Sequence, residues 1–566
     1  IFDPLTRSAA LPQGSAFPGG IIPASRFSQF GPSVLNFLPL PNITGQASYN
    51  YQSQVPSANP SYDQIYRVDY NMSDKWRFFV RALDSKSTQL TPYGRADTSN
   101  VLGLTPFFAP TYGWSVTTNV ATIINPTLTN EFQFGYTVNG IPGDGPVAGS
   151  PYYRDVSKIN IPLLYPEANI SNVIPNFNFG GVPVGTGGNT QFTSFAGTPY
   201  ANRNPVWNYI DNITKIRGAH TIKAGIYYEY AVKTENAFRP YNGTIDFGRD
   251  SANPGDTNWA FSNALLGNYG SYTQINKDPL PSYPYMNLEF YGQDTWKVSK
   301  KLTINIGLRG ALIKPFHDDL GLMANFNYSK FDPAQAVRFY QPTGAFSGAN
   351  RQAINPVTGQ ILPALYIGGI VPNVGNINNG MVLSGQNGTP EGLIENRGIH
   401  WAPRFGIAYQ INSKTVLRLG GGVFYERVAT FGPGITSNYT TNPPSLRQAT
   451  LYYGNVANIA TTAGTFFPTA INRLSEDGHI PTTYNYNAGI QRELPNKLFL
   501  EVSYVGAQNR HLWLAQPLNQ APFGSAWLPY SQDPTTTAKF DGSTNLPVNM
   551  YRPYAGYTSA GADYTW

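Results

Sequence analysis

The residues best suited to chemistry in this chain are few and widely spaced. Cysteine is absent, which removes disulfides, thiolate metal sites and cysteine nucleophiles. The five histidines stand apart in the sequence, and none has a second histidine or a carboxylate at a spacing typical of a metal site. We therefore expect no metal, no cofactor and no catalytic residue. These histidines are His220, His317, His400, His479 and His511.

Two short patterns have both a functional and a structural interpretation. Asp318 and Asp319 could help to hold Ca²⁺ in a long loop, although a solvated acidic pair is the simpler interpretation. The run 420–422 is all glycine and superficially resembles a phosphate-binding loop. It lies inside a strand pattern, however, where glycine marks a bend, a bulge or a close backbone approach.

Sequence motifs of enzymes are missing as well. The chain contains no serine-hydrolase elbow, no zinc-protease helix motif and no nucleotide-binding P-loop. A secreted carbohydrate hydrolase would need two carboxylates flanking a cleft, and the sequence marks no such pair. We expect a protein that is not an enzyme.

The composition narrows the classes that remain. Of the 566 residues, 14% are aromatic and only 12% are charged, against about 25% charged in typical soluble proteins. The net charge of +6 is small and scattered, which argues against nucleic acid as a partner. No apolar run approaches the roughly 20 residues of a membrane-spanning helix. Barrel strands remain possible, because they need only about 10 residues and are half polar.

The elements that must position any site are strands in repeated hairpins. The segment 301–309 alternates strictly, with Leu302, Ile304, Ile306 and Leu308 on one face and polar residues on the other. Such alternation predicts a strand with two unlike faces. Across a single domain region 1–566, six hairpins are predicted at about 65–83, 112–139, 206–232, 284–310, 402–427 and 484–505. The long loops are predicted at about 84–111, 140–205, 233–283, 311–401, 428–483 and 506–566.

Short turns and long loops alternate strictly along the chain. All short turns therefore lie at one end of the strands and all long loops at the other, as in outer-membrane barrels with periplasmic turns and extracellular loops. In hydrocarbon each unpaired backbone group costs several kcal/mol, which favours a closed sheet. We predict an all-β, antiparallel transmembrane β-barrel, of which about 12 strands are recognisable. A soluble sheet with one wet face is the alternative, and in either case loops this long should pack on one another or on a partner.

The barrel hypothesis assigns an environment to each face. Tyrosine and tryptophan near the strand ends suit interfacial girdles: Trp76, Trp114, Trp207, Trp296, Tyr228, Tyr230, Tyr285, Tyr425 and Tyr484. The residues predicted to face lipid are Phe132, Phe134, Tyr136, Met286, Leu288, Phe290, Leu302, Ile304, Ile306 and Leu308. Those predicted to face the lumen are Lys223, Glu229, Arg309, Arg418 and Glu426.

Several segments together resemble one family. YNAGIQRELPNKLFLEVSYVGAQNRHL at 486–512 and YGQDTWKVSKKLTINIGLR at 291–309 are similar to the large TonB-dependent transporters of acidobacteria that carry an amino-terminal carboxypeptidase-regulatory-like domain. The resemblance spans nearly the whole chain and is specific as a set. Further similar segments are 17–28, 38–42, 63–81, 392–406 and 402–426.

The resemblance implies a 22-stranded barrel in the cell outer membrane that takes up a scarce nutrient, such as a glycan, a peptide or a metal chelate. Its plug and the energising partner TonB are expected outside this sequence, so the chain would be the middle of the barrel region. The loops are the expected site of nutrient binding. The alternative function is a structural β-rich subunit of a cell-surface or extracellular assembly, in which exposed strand edges support self-association.

Overall fold

A computed structural model gives the fold of this chain. It describes all residues except 48, 93–106, 143–144, 181–199, 237–238, 349, 428–436 and 566.

One large antiparallel sheet dominates the fold. Its strands follow one another in chain order from the first to the last, and each is antiparallel to its neighbours. The prediction of an all-β antiparallel architecture with about 12 strands is confirmed. The strands are β1 (Ser61–Asn71), β2 (Trp76–Thr91), β3 (Phe107–Asn125), β4 (Leu128–Ile141), β5 (Asn202–Arg217), β6 (His220–Glu235), β7 (Ser282–Lys297), β8 (Leu302–Ile313), β9 (Ile399–Asn412), β10 (Thr415–Tyr425), β11 (Thr482–Glu493) and β12 (Phe499–Arg510). A two-residue strand, Gly145–Pro146, also pairs with β3.

The strands are joined alternately by short turns and long loops. Each hairpin turn takes two to five residues, for example 218–219 between β5 and β6 and 494–498 between β11 and β12. The connections between hairpins are far longer, and the longest is 314–398 between β8 and β9. Antiparallel neighbours therefore place the turns at one end of the sheet and the loops at the other.

The strands are longer than the sequence predicted. The first hairpin was expected over 65–83 but runs over 61–91, so part of the predicted loop 84–111 belongs to β2 and β3. The added stretch of β2 is DSKSTQLT, in which polar residues occupy both faces. Alternation of hydrophobicity cannot reveal a strand that continues past the apolar part of the sheet.

The loops fold into a structured layer of their own, which we call the loop cap. Among the residues that the structure describes, it contains four short α-helices: α1 (Gly31–Leu35), α2 (Arg154–Ser157), α3 (Ala260–Leu266) and α4 (Ser437–Thr440). Its small sheets are Asn176–Asn178 with Thr244–Asp246, Asn268–Ile275 and Gln448–Asn455; Ala324–Phe326 with Met381–Leu383; Gln341–Gly344 with Arg351–Ile354 and Ile361–Pro363; and Arg473–Leu474 with Leu514–Pro517 and Ala562–Thr565.

Hydrophobic cores lie in this cap. The largest cluster joins four separate segments of the chain, represented by Val34, Ile161, Tyr272 and Leu451. In a second cluster, Phe316 and other loop residues pack against the ends of β7 and β8 that lead into the long loops. The expectation that the long loops pack on one another agrees with this arrangement. Within the described residues, no helix is long and apolar enough to cross a membrane.

Candidate functional site

The large sheet has one face on which the apolar side chains of neighbouring strands lie side by side, and many of them are exposed. All ten residues predicted to face lipid lie on it, because register partners in a ladder share a face. Ile304, for example, pairs with Trp296, and Ile306 pairs with Phe405. Ile306 keeps 63% of its surface exposed. We call this surface the apolar face and the opposite surface the polar face.

Aromatic residues cluster at two levels of the apolar face. Near the loop end, a row of rings crosses four strands, with centroid distances of 4.7 Å for Trp114–Tyr136, 5.1 Å for Tyr136–Trp207 and 5.6 Å for Trp207–Tyr230. At the turn end, His220 stacks on Trp296 at 5.3 Å.

The separation of these two levels matches the thickness of a membrane. His220 and Tyr230 are ten residues apart on β6, or about 33 Å along the strand at about 3.3 Å per residue. At the strand tilt of about 40° found in membrane barrels, that length spans about 25 Å of membrane, the height of the apolar band in outer-membrane barrels.

One predicted girdle residue is on the other face. Tyr285 alternates with the apolar-face residue Met286 on β7 and therefore belongs to the polar face. There its ring packs against the loop cap and lies 3.9 Å from the guanidinium of Arg427. The girdle prediction for Tyr285 is wrong, because an aromatic residue near a strand end does not reveal which face it occupies.

The residues predicted to face the lumen lie on the polar face. Lys223 and Glu229 belong to β6 and Arg309 to β8, and β7 lies between these two strands. Arg418 of β10 lies apart from them and donates from Nε to Gln491 Oε1 at 3.0 Å. Glu426 follows directly after β10, where its backbone N–H donates to the carbonyl of Pro481 at 3.0 Å. Whether the two faces meet lipid and lumen stays a prediction.

Glu229 is the centre of a polar network near the loop end of the sheet. Its carboxylate accepts hydrogen bonds from the Tyr227 hydroxyl at 2.6 Å and from Asn287 Nδ2 at 3.2 Å. It also pairs with Arg427 Nη1 at 3.4 Å. These groups come from β6, β7 and the segment after β10, so the network ties the sheet to the base of the loop cap.

The network borders a cavity that continues toward the turn end. The cavity has a volume of about 240 Å³ and is lined by Tyr227, Tyr291 and the ion pair of Glu289 with Arg309. Tyr291 donates to Asn212 Oδ1 at 2.8 Å, which orients its ring. A wider depression of about 410 Å³ follows, and Lys223 and Arg404 line it. The polar face therefore offers an ion pair and further charged side chains beside open volume.

Other candidate residues have structural roles. Asp318 is neither solvated nor arranged for Ca²⁺: its carboxylate accepts the backbone N–H groups of Leu322 at 2.6 Å and Met323 at 2.9 Å. Asp319 likewise accepts the N–H of Ser282 at 2.7 Å. Among the described residues, no three His, Cys, Asp or Glu side chains form a group that could hold a metal ion. The run 420–422 lies in β10, where a Cβ on Gly421 would come within 2.7 Å of the Phe405 ring.

Three histidines have close neighbours in the fold, while the expectation that no histidine binds a metal stays a prediction. His479 and His511 are far apart in the sequence, yet their rings stack at 4.3 Å, and Asp477 lies 3.3 Å from His479. His220 also has a carboxylate neighbour, Asp294, at 2.6 Å. The fold brings His479 to His511 and His220 to Asp294, so sequence spacing could not reveal these two pairs. Burial and the neighbouring His479 lower the pKa of His511, which disfavours a second positive charge in the stack.

No feature of the sequence predicted a role for Arg427 in the site. It lies immediately after the last alternating residue of the predicted hairpin 402–427, and nothing in the sequence marks it as different from other arginines. Its role depends on Tyr285 and Glu229, which belong to different strands.

Comparison with known families agrees with this arrangement. The model of the outer membrane beta barrel domain matches residues 1–565. This chain belongs to that family. The outer-membrane barrel is accordingly a protein of the bacterial cell outer membrane. No curated protein sequence matches it.

Solved structures similar to the barrel include three outer-membrane proteins. The outer membrane transporter YddB from Escherichia coli is 9% identical, with a TM-score of 0.42, over 81% of this chain and 42% of that one. The FrpB iron transporter from Neisseria meningitidis is 11% identical, with a TM-score of 0.37, over 84% and 48%. The ferric enterobactin receptor from Pseudomonas aeruginosa is 9% identical, with a TM-score of 0.33, over 89% and 55%. The chain spans about half the length of these proteins.

Proposed function

We propose that this chain forms much of the barrel of a TonB-dependent receptor that takes up a scarce nutrient across the outer membrane. The observation that carries the proposal is the network of Glu229 and Arg427, placed between an ordered loop cap and an open polar face. A ligand captured by the loops would reach this network first on its way inward. The resemblance to acidobacterial transporters with a carboxypeptidase-regulatory-like domain supports the same function.

The chemistry of the polar face suits a conduit better than a catalyst. Two of its carboxylates, Glu229 and Glu289, are each paired with an arginine, which leaves neither of the two arranged as a general acid or base. Work for transport would come from TonB through a plug, and neither requires a hydrolytic residue here. The nutrient belongs to the class of glycans, peptides or metal chelates.

Uptake in intact cells tests the proposal. A strain lacking the complete protein is compared with one that carries it, each with and without functional TonB, while accumulation of labelled glycan, peptide and chelate mixtures is measured. We expect one class to accumulate only when both the protein and TonB are present. Uptake that ignores TonB would contradict the proposal.

A structural subunit of a surface assembly is the rival hypothesis, and the apolar face separates the two. In a membrane this face contacts lipid, whereas in a fibre it would be buried against other copies. Extraction of the complete protein from outer membranes should need detergent, and its gel mobility should change on boiling. Sedimentable fibres that persist in detergent would favour the structural role instead.

A further inference from the structure

We infer that Arg427 and Asn287 form a recognition site for a carboxylate that has an N–H or O–H donor beside it. The inference rests on the proposed function and deepens it, since it gives a chemical class to the ligand of the polar face. It follows from polar atoms that are buried at the network of Glu229 without a hydrogen-bond partner.

The guanidinium of Arg427 is held in place but only partly satisfied. Its side chain is 18% exposed, it lies 3.9 Å from the centre of the Tyr285 ring, and only Nη1 contacts Glu229, at 3.4 Å. Within the described part of the chain, Nε and Nη2 are buried and have no hydrogen-bond partner. Buried polar groups are almost always paired, and leaving one unpaired costs about 1–3 kcal/mol or more when it is charged.

The two unpaired nitrogens form one edge of the guanidinium, and another arginine of this chain shows what that edge binds. In Arg67 the same two atoms, Nε and Nη2, donate to the two carboxylate oxygens of Asp69 at 2.8 and 2.7 Å. Such two-pronged pairing is the geometry in which arginine recognises a planar carboxylate. The unpaired, buried edge of Arg427 has the donors for the same group.

The neighbouring acceptor adds the second half of the site. Asn287 donates from Nδ2 to Glu229 at 3.2 Å, while its Oδ1 is buried without a partner among the described residues. An amide oxygen accepts hydrogen bonds, so it would pair with an N–H or O–H of the ligand. A bare carboxylate would satisfy Arg427 and leave Asn287 unpaired.

Glu229 does not prevent an anion from binding here. Three donors share its carboxylate, namely Tyr227, Asn287 and Arg427, which spreads its charge. Tyr227, which donates to Glu229, also lines the cavity of about 240 Å³, so volume for the rest of a small ligand group lies next to the network. Peptide carboxyl ends and uronic-acid sugars both combine a carboxylate with nearby donors.

Equilibrium binding of two matched probes tests the site. N-acetyl-glycyl-glycine carries a carboxylate and N–H donors, and its carboxyl-terminal amide differs only at the carboxylate. Both are titrated by saturation-transfer NMR against the complete protein, extracted from outer membranes into detergent. We expect the acid to bind at least 10-fold more tightly than the amide.

Variants assign that preference to residues. Arg427→Gln should reduce the preference to less than 2-fold, and Arg427→Lys should keep part of it, since the charge stays but the two-pronged edge is lost. The matched control is Arg418→Gln, a polar-face arginine that lies apart from the network and donates to Gln491 at 3.0 Å, and it should leave the preference unchanged. Asn287→Leu should narrow the gap between the acid probe and acetate, which lacks the donor. Heat-modifiable mobility checks that each variant is folded.

Three results would overturn the inference: equal binding of acid and amide, an undiminished preference in folded Arg427→Gln, or the same loss in Arg418→Gln. This assay involves neither TonB nor transport. If uptake fails while the acid preference holds, the proposed function is wrong and the site stands. If uptake succeeds without the preference, the reverse applies.

Discussion

The large sheet and the loop cap follow opposite rules for placing apolar side chains. On the sheet, Ile306 and Phe405 are among the most exposed residues of their strands, whereas in the cap Ile161 and Phe177 are completely buried. A soluble domain buries its apolar residues because water disfavours them, and the cap obeys that rule. The sheet does not, which is expected when its surroundings are hydrocarbon. One chain thus contains a region that leaves apolar side chains exposed, as contact with lipid would require, and a region that buries them.

The two regions also satisfy their backbones differently. In the sheet, the strands pair through long ladders, which are continuous from β6 through β7 and β8 to β9. In the cap, buried Gln and Asn side chains form hydrogen bonds with backbone groups that strand pairing leaves unpaired. Gln274 donates to the carbonyls of Tyr165 and Tyr241 at 2.8 and 2.7 Å and accepts the N–H of Tyr165 at 2.8 Å. Asn325 exchanges two such bonds with the backbone of Leu474, each at 2.9 Å.

The strongest test of this comparison is removal of one carboxamide from the cap. Asn442 is 1% exposed and bonds to the carbonyls of Ala324 and Asn472, both at 2.7 Å, and to the N–H of Asn472 at 2.9 Å. Asn442→Ala leaves these backbone groups without their hydrogen-bond partner and should lower the free energy of unfolding of the cap by about 3–5 kcal/mol. Hydrogen exchange of backbone amides in the cap, measured on the protein in detergent, reports this loss of stability. Asn458→Ala, at an exposed position, is the control, and an equal effect there would contradict the interpretation.

A titratable group in the cap gives the next largest effect. Burial raises the pKa of Asp278 to about 7, although the hydrogen bond from Asn236 Nδ2 opposes the shift. Because the folded form holds the proton more tightly than the unfolded form, the stability of the cap should fall as pH rises from about 4 to 7, by roughly 2–4 kcal/mol.

Asp278→Asn isolates this contribution, because the amide keeps an acceptor for Asn236 and cannot ionise. The variant should unfold at a higher temperature than the parent at pH 8 and at the same temperature at pH 4. A pH-independent difference between the two melting temperatures would rule out titration of Asp278 as the cause.

A charge on the apolar face tests the other region. Ile306→Lys should reduce the stability of the folded sheet in lipid vesicles by about 2–4 kcal/mol, because lysine near the middle of a membrane is costly. On a water-exposed surface the same substitution would be nearly neutral. Asn305→Lys, on the polar face of the same strand, is the matched control. Equal stability of both variants in denaturant titrations would show that the apolar face does not contact lipid.

The smallest expected effect concerns the aromatic row. Trp207 lies between the rings of Tyr136 and Tyr230, so Trp207→Leu removes two aromatic contacts and one interfacial anchor. We expect a loss of about 1–2 kcal/mol in the same vesicle titration. Val206→Leu, one residue away on the polar face, should change stability much less. A larger loss in the control would place the important packing on the other face.

The sequence was a good guide to one region and a poor one to the other. Alternation predicted the faces of β7 and β8 residue by residue, since each side chain on a strand points opposite to its neighbour. The cap has no such period. Its cores join segments more than 100 residues apart, and the stack of His479 on His511 arises from that joining. The candidate site has the same limit. Alternation predicted the face on which Glu229 lies, whereas the contacts of Arg427 could be recognised only in the folded structure.

The hydrogen bonds from buried Gln and Asn side chains to the main chain of the cap affect which loop residues can be substituted. Gln274, Asn325 and Asn442 bind main-chain atoms, which every amino acid supplies. Outward-pointing loop residues can therefore be exchanged without loss of the scaffold, so lineages under attack from phage or antibodies could vary their surface while keeping its shape. For an engineer, the same property makes this layer a display platform into which new recognition sequences can be grafted.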